Sequence, residues 1–329
     1  MGFDDYSDMF WKKKRVLITG GTGFIGTYLV KELINEGAEV FCLTQELVGK
    51  SNFKNWELDK KSTLIFGTVL DFNLINSSLQ KYEIDTVFHL AAQPLVQVAL
   101  KKPYETLQIN VIGTLNILEA CRSNLVRRII VASSDKAYGT HDNLPYYETH
   151  ALKGEYPYDV SKSCTDLIAQ SYGKTYGMPI AITRFSNVYG GGDLNFDRII
   201  PETIKHLLFD EPILIRSNGK FIREFFYVKD AAKAYLKLAE KIEELKLRGD
   251  AFNFGTDKPV LLLELVKKIK QVSGKGDAEI KILDIAKAEI KDQFLSSEKA
   301  KKVLGWEPEY ELDRGLIETY QWYKEYFGK

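Results

Sequence analysis

Two short stretches of the chain carry side chains whose types and spacing could do chemistry. Tyr158-Asp159-Val160-Ser161-Lys162 sets a phenol and an ammonium four residues apart, on one face of a helix. An ammonium beside a phenol favours the phenolate and draws its pKa down from about 10 toward neutrality. Such a phenolate is a base that can remove a hydroxyl proton while hydride leaves the same carbon. The second stretch is Ala132-Ser133-Ser134-Asp135-Lys136-Ala137-Tyr138-Gly139. Ser134 can hydrogen-bond the reacting hydroxyl. Asp135 and Lys136 place an acid and a base side by side, which is more than an oxidation alone requires. Plain alternatives stand beside both readings: a surface Tyr/Lys pair, and a capped loop with an exposed ion pair.

These side chains need elements to hold them. Short apolar, β-branched runs at Arg15–Thr19, Glu39–Leu43, Thr63–Gly67, Thr86–Leu90 and Arg128–Ala132 read as buried strands. Helical patterns lie between them, at Phe24–Glu36 and Val111–Ser123 among others. Alternation of this kind predicts an α/β fold with a doubly wound parallel sheet covered on both faces. The Ser134 stretch then leaves the carboxyl end of the fifth strand, where such sheets bind ligands. From about Asn187 the texture changes. Gly190-Gly191-Gly192 with Asn195 reads as a flexible loop. A helix (Pro201–Phe209), a strand (Pro212–Ile215), a turn at Ser217-Asn218-Gly219 and a strand at Glu279–Leu283 follow.

Thr19-Gly20-Gly21-Thr22-Gly23-Phe24-Ile25-Gly26 directly follows the first strand and opens a helix. Glycines at 20, 23 and 26 allow a tight turn, close approach of a pyrophosphate, and packing of helix on strand. The helix N-terminus adds unpaired N–H groups and partial positive charge. A structural glycine turn is the plain alternative, and the strand–turn–helix context favours the dinucleotide site. The acid expected at the end of the second strand is missing, since Leu43-Thr44-Gln45 stands there, and no arginine replaces it. That favours NAD and leaves NADP open. Asp71 could take a bond from the adenine amino group or simply cap a helix. Leu90-Ala91-Ala92 supplies small residues for close approach of a cofactor, and His89 reads as a satisfied structural histidine.

With 329 residues the chain can bury a sizeable core. Its 45 lysines and arginines balance 45 aspartates and glutamates, which argues against capture of nucleic acid or an anionic membrane. Cys42, Cys121 and Cys164 are odd in number and widely spaced, so they suggest buried thiols rather than disulfides or a metal site. No apolar run approaches the ~20 residues of a membrane span, and the first 14 residues lack a signal-peptide core, giving a cytoplasmic expectation.

Taken together, these motifs resemble the extended short-chain dehydrogenase/reductase family over nearly the whole chain. The glycine turn, Asn110-Val111-Ile112-Gly113-Thr114, Tyr158/Lys162, Asn187-Val188-Tyr189-Gly190 and Val303-Leu304-Gly305-Trp306-Glu307-Pro308 carry the likeness. Within it, the chain is similar to the CDP-glucose 4,6-dehydratases through Val87–Val96, Ser134-Asp135-Lys136, Gly190-Gly191-Gly192-Asp193 and Phe196–Pro201. It departs from them at Gly21 and Ile25 of the glycine turn, and Ile222–Asp230 looks more like the epimerases.

The resemblance implies a Rossmann-type cofactor domain (1–186, with a return segment near 225–257) and a smaller C-terminal α/β domain (187–224 and 258–329) for a nucleotide-diphosphate sugar. It implies catalysis by Ser134, Asp135, Lys136, Tyr158 and Lys162. NAD would be held by Gly20, Gly23, Phe24, Ile25, Gly26, Asp71, Leu90, Ala91, Ala92, Asn110, Tyr158 and Lys162. Gln93, Asn187 and Arg198 would meet the substrate, and Arg223 would clamp its diphosphate; any of these arginines could instead be a salt-bridge residue. A homodimer built on Val111–Cys121 and Lys162–Tyr176 is also implied. The expected activity is a nucleotide-sugar 4,6-dehydratase giving a 4-keto-6-deoxy sugar. The alternatives are a nucleotide-sugar 4-epimerase, which needs no Asp135-Lys136 pair, and a non-catalytic NAD(H)-binding regulator, which needs no tyrosine base.

Overall fold

The computed structural model describes residues 10–285 and 290–329; most of the opening segment read above for a signal peptide lies outside them. Seven strands form one parallel sheet: β1 (Arg15–Thr19), β2 (Glu39–Thr44), β3 (Thr63–Phe66), β4 (Thr86–His89), β5 (Arg128–Ala132), β6 (Ile180–Phe185) and β7 (Asp250–Phe254). Their spatial order is β7-β6-β5-β4-β1-β2-β3. The strands at the middle of the sheet are buried on both faces, as their unbroken apolar runs require.

Side-chain alternation divides the core. Val16, Ile18, Phe88 and Ile130 face one way, against helix α1 (Phe24–Asn35) and the helix Val228–Lys241. Leu17, Val87, Ile129 and Val131 face the other, against Ile75, Ile117 and Ala169 from three further helices. A third cluster lies apart from the sheet. Ile200, Ile204 and Leu207 pack there with Ile213, Leu265, Ile269, Leu316 and Tyr320. The strand Ile213–Ile215 pairs there in parallel with Ile280–Ile282.

The chain leaves β1 for β2 on one side and reaches β4 on the other, so the order reverses between β1 and β4. In sheets of this kind the crevice outside that point takes the ligand. Three expectations change. The helix expected at Val111–Ser123 is split: Gln108–Ile112 is a π-helical turn and the α-helix begins at Gly113. The extra residue in that turn places Asn110 inward. The glycine run at 190–192 is packed, not loose. The Gly191 carbonyl accepts from the Tyr28 hydroxyl at 2.8 Å and from Asn52 Nδ2 at 3.1 Å. A Cβ on Gly191 would lie 2.4 Å from the Trp322 ring. Finally, Cys164 is half-buried, whereas Cys42 and Cys121 are sealed in the core. Among the described residues no helix is long and apolar enough to cross a membrane.

Candidate active site

The glycine turn closes over the end of β4. Gly20 has φ +74°, and a Cβ there would come within 2.9 Å of the Ala91 nitrogen. A Cβ on Gly26 would lie 2.1 Å from the Gly20 carbonyl oxygen. Only glycine therefore lets the turn, the start of α1 and the Leu90-Ala91-Ala92 segment meet. Gly23 caps α1 without a side-chain bond, and the first turn holds no acid. The N–H groups of Phe24, Ile25 and Gly26 thus begin a helix whose positive end is unopposed, which suits a pyrophosphate. These residues fit a dinucleotide. At the end of β2 the Thr44 hydroxyl pairs with Thr22 and donates to the Glu46 carbonyl, so neither an acid nor a base occupies the ribose position.

His89 lies beneath this cradle as the structural residue expected. Its two ring nitrogens meet Thr19 Oγ1 at 2.7 Å and Thr114 Oγ1 at 3.0 Å. Burial, aided by Lys162, brings its pKa down to about 3, so it is neutral. Thr19 also accepts from the Ala91 nitrogen, a pinning contact that sequence patterning does not reveal.

The second half of the site hangs from β5. Ser134 caps a short 3-10 turn, accepting from Lys136 N at 3.2 Å and donating to Asp135 Oδ1 at 3.1 Å. Asp135 is only 3% exposed, and its Oδ2 is buried with no hydrogen-bond partner. Burial raises its pKa against the lowering pull of Lys136, the Ser134 hydroxyl and Arg223. Lys136 is half-buried, and its ammonium donates to Gln293 Oε1, 157 residues away.

Tyr158 and Lys162 share one face of the helix Pro157–Tyr176, here called the site helix. Their electrostatics differ from the expectation of a phenol eased by its lysine. Burial pushes Tyr158 up to about 12; the Arg198 charge and a hydrogen bond from Ser134 pull it down, while Asp135 and Asp159 push it up. Lys162 is itself brought down to about 8 by burial, and its Nζ donates to the Ala132 carbonyl at 2.8 Å. The lysine ties the site helix to β5, and the Arg198 charge acts on the phenol.

The remaining candidates divide. Arg198 pairs with Asp193 at 2.8 Å and keeps 40% of its side chain exposed, within reach of an anion. Asn187 donates to the Glu224 carbonyl at 3.1 Å. Arg223 is 7% exposed and gives hydrogen bonds to the carbonyls of Ile222, Lys291 and Ile290, so several of its donors serve the main chain. Asp71 is an exposed cap, accepting from Leu74 N at 2.9 Å, which is the plain alternative weighed for it. Asn110 is 1% exposed; its amide binds Gln93 N, Gln93 O and Ser161 Oγ. It ties the 93 loop to the site helix from inside. Gln93 likewise spends its amide on Leu95 and Thr106.

Sequence reasoning passed over Asp159, Glu224 and Gln293. Asp159 lies inside the Tyr158–Lys162 motif, is 2% exposed, and is raised by burial to about 6. Glu224 accepts from Thr256 N, Asp257 N and Leu295 N, fastening the strand that presents Gln293 to Lys136. Only Asp159 left a local signal, an acid directly beside the phenol.

Comparison with known proteins agrees with this layout. The family description of GDP-mannose 4,6 dehydratase matches residues 17–319. CDP-glucose 4,6-dehydratase of Salmonella typhimurium is 31% identical, over 96% of this chain and 92% of that one. The chain spans about half the length of the trifunctional Arabidopsis thaliana UDP-glucose 4,6-dehydratases it matches, covering 48% of them at 30% identity. Among solved structures, the dTDP-glucose 4,6-dehydratase of Streptomyces venezuelae with NAD bound superposes with TM-score 0.87 at 26% identity, covering 95% of this chain and 98% of that one. The UDP-glucose 4-epimerase of Thermotoga maritima with UDP-glucose gives 0.88 at 28%, over 95% and 99%. The match runs from within β1 into the last helix, and the chain belongs to the GDP-mannose 4,6 dehydratase family.

Proposed function

We propose that the chain is a nucleotide-sugar 4,6-dehydratase that works through NAD and yields a 4-keto-6-deoxy sugar. The observation carrying this is Asp135: a buried carboxyl with an oxygen left without a partner, beside Lys136 and one hydrogen bond from Ser134. The Salmonella and Streptomyces relatives, named as dehydratases, support the reading. Gly20, Gly23, Phe24, Ile25, Gly26, Leu90, Ala91 and Ala92 would hold the dinucleotide, with Asp71 at its adenine end. The dinucleotide, when bound, would supply a hydride acceptor for oxidation at C4 and the hydride for reduction at C6.

The protein's part is proton handling. Tyr158 removes the C4 hydroxyl proton, with Ser134 orienting that hydroxyl and Arg198 favouring the phenolate. Lys162 holds the site helix at its distance from β5. A C4 ketone acidifies the C5 proton, which Lys136 in its neutral amine form, or a neighbouring group, accepts and gives back to C5 when hydride reaches C6. The C5–H electrons become the C5–C6 double bond, and the C6–O electrons leave with oxygen, which takes the Asp135 proton and departs as water. Asn187 and Arg198 would meet the sugar diphosphate, with Arg223 behind them. Residues 187–224 and 258–329 would form the nucleotide-sugar domain. We also infer a homodimer on the face carrying Ile112, Leu167 and Tyr176, which are 45%, 53% and 56% exposed.

The test is incubation with NAD+ and, separately, CDP-glucose, GDP-mannose, UDP-glucose and dTDP-glucose, with mass spectrometry of the products. Loss of one water from one of them is expected. Unchanged mass with an inverted C4 would instead establish a 4-epimerase, the reading favoured by the fit to the Thermotoga enzyme.

A further inference from the structure

A lysine that serves as a base must present its nitrogen in a narrow geometry, yet it hangs on a long flexible stem. Something has to hold it. The Lys136 ammonium donates to Gln293 Oε1. Gln293 is 0% exposed, and among the described residues its Nε2 is buried without a hydrogen-bond partner. A sealed amide with one end on the lysine and the other end idle calls for an explanation.

Both sides of this contact are fastened to the same residue. Tyr146 donates its hydroxyl to the Gly139 carbonyl at 2.6 Å and stacks on Tyr138, with ring centroids 4.7 Å apart. It thereby grips the end of the turn that carries Lys136. Its main chain bonds the segment that carries Gln293: Tyr146 N donates to Phe294 O at 3.0 Å, and Ser296 N donates to Tyr146 O at 2.9 Å. From the other direction Gln293 lies in parallel register opposite Arg223, and Leu295 N donates to Glu224 Oε2 at 3.1 Å. The amide reaches the lysine from a strand held on two sides.

The chemistry of residue 293 matters as much as its place. A carboxylate there would favour the ammonium and resist loss of its proton. An amide carries no charge. Its Oε1 accepts from the ammonium, and its Nε2 can donate to the lone pair of the amine. A half-turn about the last bond of the side chain exchanges the two, and no bond made by Nε2 is broken by it.

We propose that Gln293 is a positioning residue for the base: its neutral amide holds the Lys136 nitrogen in place both as amine, before the C5 proton arrives, and as ammonium, after it. This deepens, and rests on, the dehydratase reading. The other titratable and charged groups around Lys136 are Asp135 beside it and Asp159 on the site helix. Arg223, Tyr146 and Tyr158 act on or are acted on by Asp135, and Glu155 acts on Asp159. All of them stay in place when only residue 293 is changed.

Proton–carbon correlation spectra of protein labelled with 13C-lysine would follow Lys136 against pH without substrate, its signal being the one missing from Lys136→Arg. In Gln293→Glu the midpoint should rise by about one pH unit, because an opposite charge favours the ammonium. In Gln293→Met it should fall, because the charged form loses an acceptor. In turnover, Gln293→Glu should move the pH profile of water loss upward by the same amount. Its C4 oxidation, read by the near-ultraviolet absorbance of the cofactor, should change less than about twofold. At high pH, where the lysine is an amine in every form, Gln293→Met should still remove water on the order of tenfold more slowly than the wild type, since its base is no longer held. A midpoint unmoved in either variant, or equal loss of C4 oxidation and water loss, would overturn the proposal. If Gln293→Met fails to fold, Gln293→Asn, too short to reach the lysine, serves the same comparison. A wild type that removes water from none of the four sugars would defeat the dehydratase reading instead, and the lysine titration would still decide whether residue 293 governs Lys136.

Discussion

Two buried acids reach the same part of the fold and meet opposite fates. Asp166, on the site helix, is fully buried and saturated. Arg184 grips it with Nε at 2.7 Å and Nη2 at 2.9 Å, and Gln170 Nε2 adds a third bond at 2.7 Å. The same guanidinium donates to the Tyr138 hydroxyl at 2.8 Å and lies 4.8 Å from the centroid of its ring. Tyr138 ends the short turn that begins at Asp135, and there the saturation stops, since Asp135 Oδ2 has no partner. A satisfied pair is chemically spent and serves to hold the turn still. An unsatisfied carboxyl on a turn held still is available for proton transfer.

The sharpest way to break this comparison is to damage its structural side. Asp166→Asn leaves Arg184 buried and without its counter-charge, which should destabilise the fold by about 3–5 kcal/mol. Chemical denaturation would measure it, and a loss below ~1 kcal/mol would mean the pair is no anchor. On the chemical side, Tyr158→Phe should reduce turnover about 100-fold or more while shifting the unfolding free energy by less than ~1 kcal/mol. Equal damage to folding would erase the contrast.

Gly26→Ala comes next. Its Cβ would strike the Gly20 carbonyl, so overpacking should weaken NAD binding by about 1–3 kcal/mol in calorimetry. Asp135→Asn should separate function from stability, abolishing water loss while leaving C4 oxidation measurable. Because burial raises the folded pKa of Asp135, the folded state binds its proton more tightly than the unfolded chain does. Stability therefore falls as pH rises from the unfolded value toward the folded one, and asparagine removes that loss. The variant should be the more stable protein at pH 8 and the difference should vanish near pH 4, as denaturation at the two pH values would reveal. The smallest effect is expected at Asp71→Ala: about 1 kcal/mol from the lost helix cap, with any further drop in cofactor affinity measuring an adenine contact.

Much of this arrangement can be read without coordinates, because it depends on neighbours in sequence. The glycine turn, the first five strands and the Tyr158–Lys162 face follow from periodicity and spacing. Strand β6 is harder to read because Ile180-Ala181-Ile182-Thr183-Arg184-Phe185 carries an arginine through the core, and what makes that tolerable is Asp166 on the preceding helix. The run at 190–192 reads as loose until Asn52 and Trp322 close on it from distant parts of the chain. Asn110 belongs to a motif, but its inward direction comes from a π-helical turn.

The sequence by itself determined which groups could act and in what order along the chain, since a strand, a glycine turn and a helix face are local choices of the backbone. Tertiary structure alone decided their charge states. Tyr158 is held up by burial and relieved by Arg198, forty residues on. Lys136 is received by Gln293 from the far end of the chain. Whether a side chain is ionised depends on the water it loses and the charges it meets, and both are set by parts of the chain that only folding brings together.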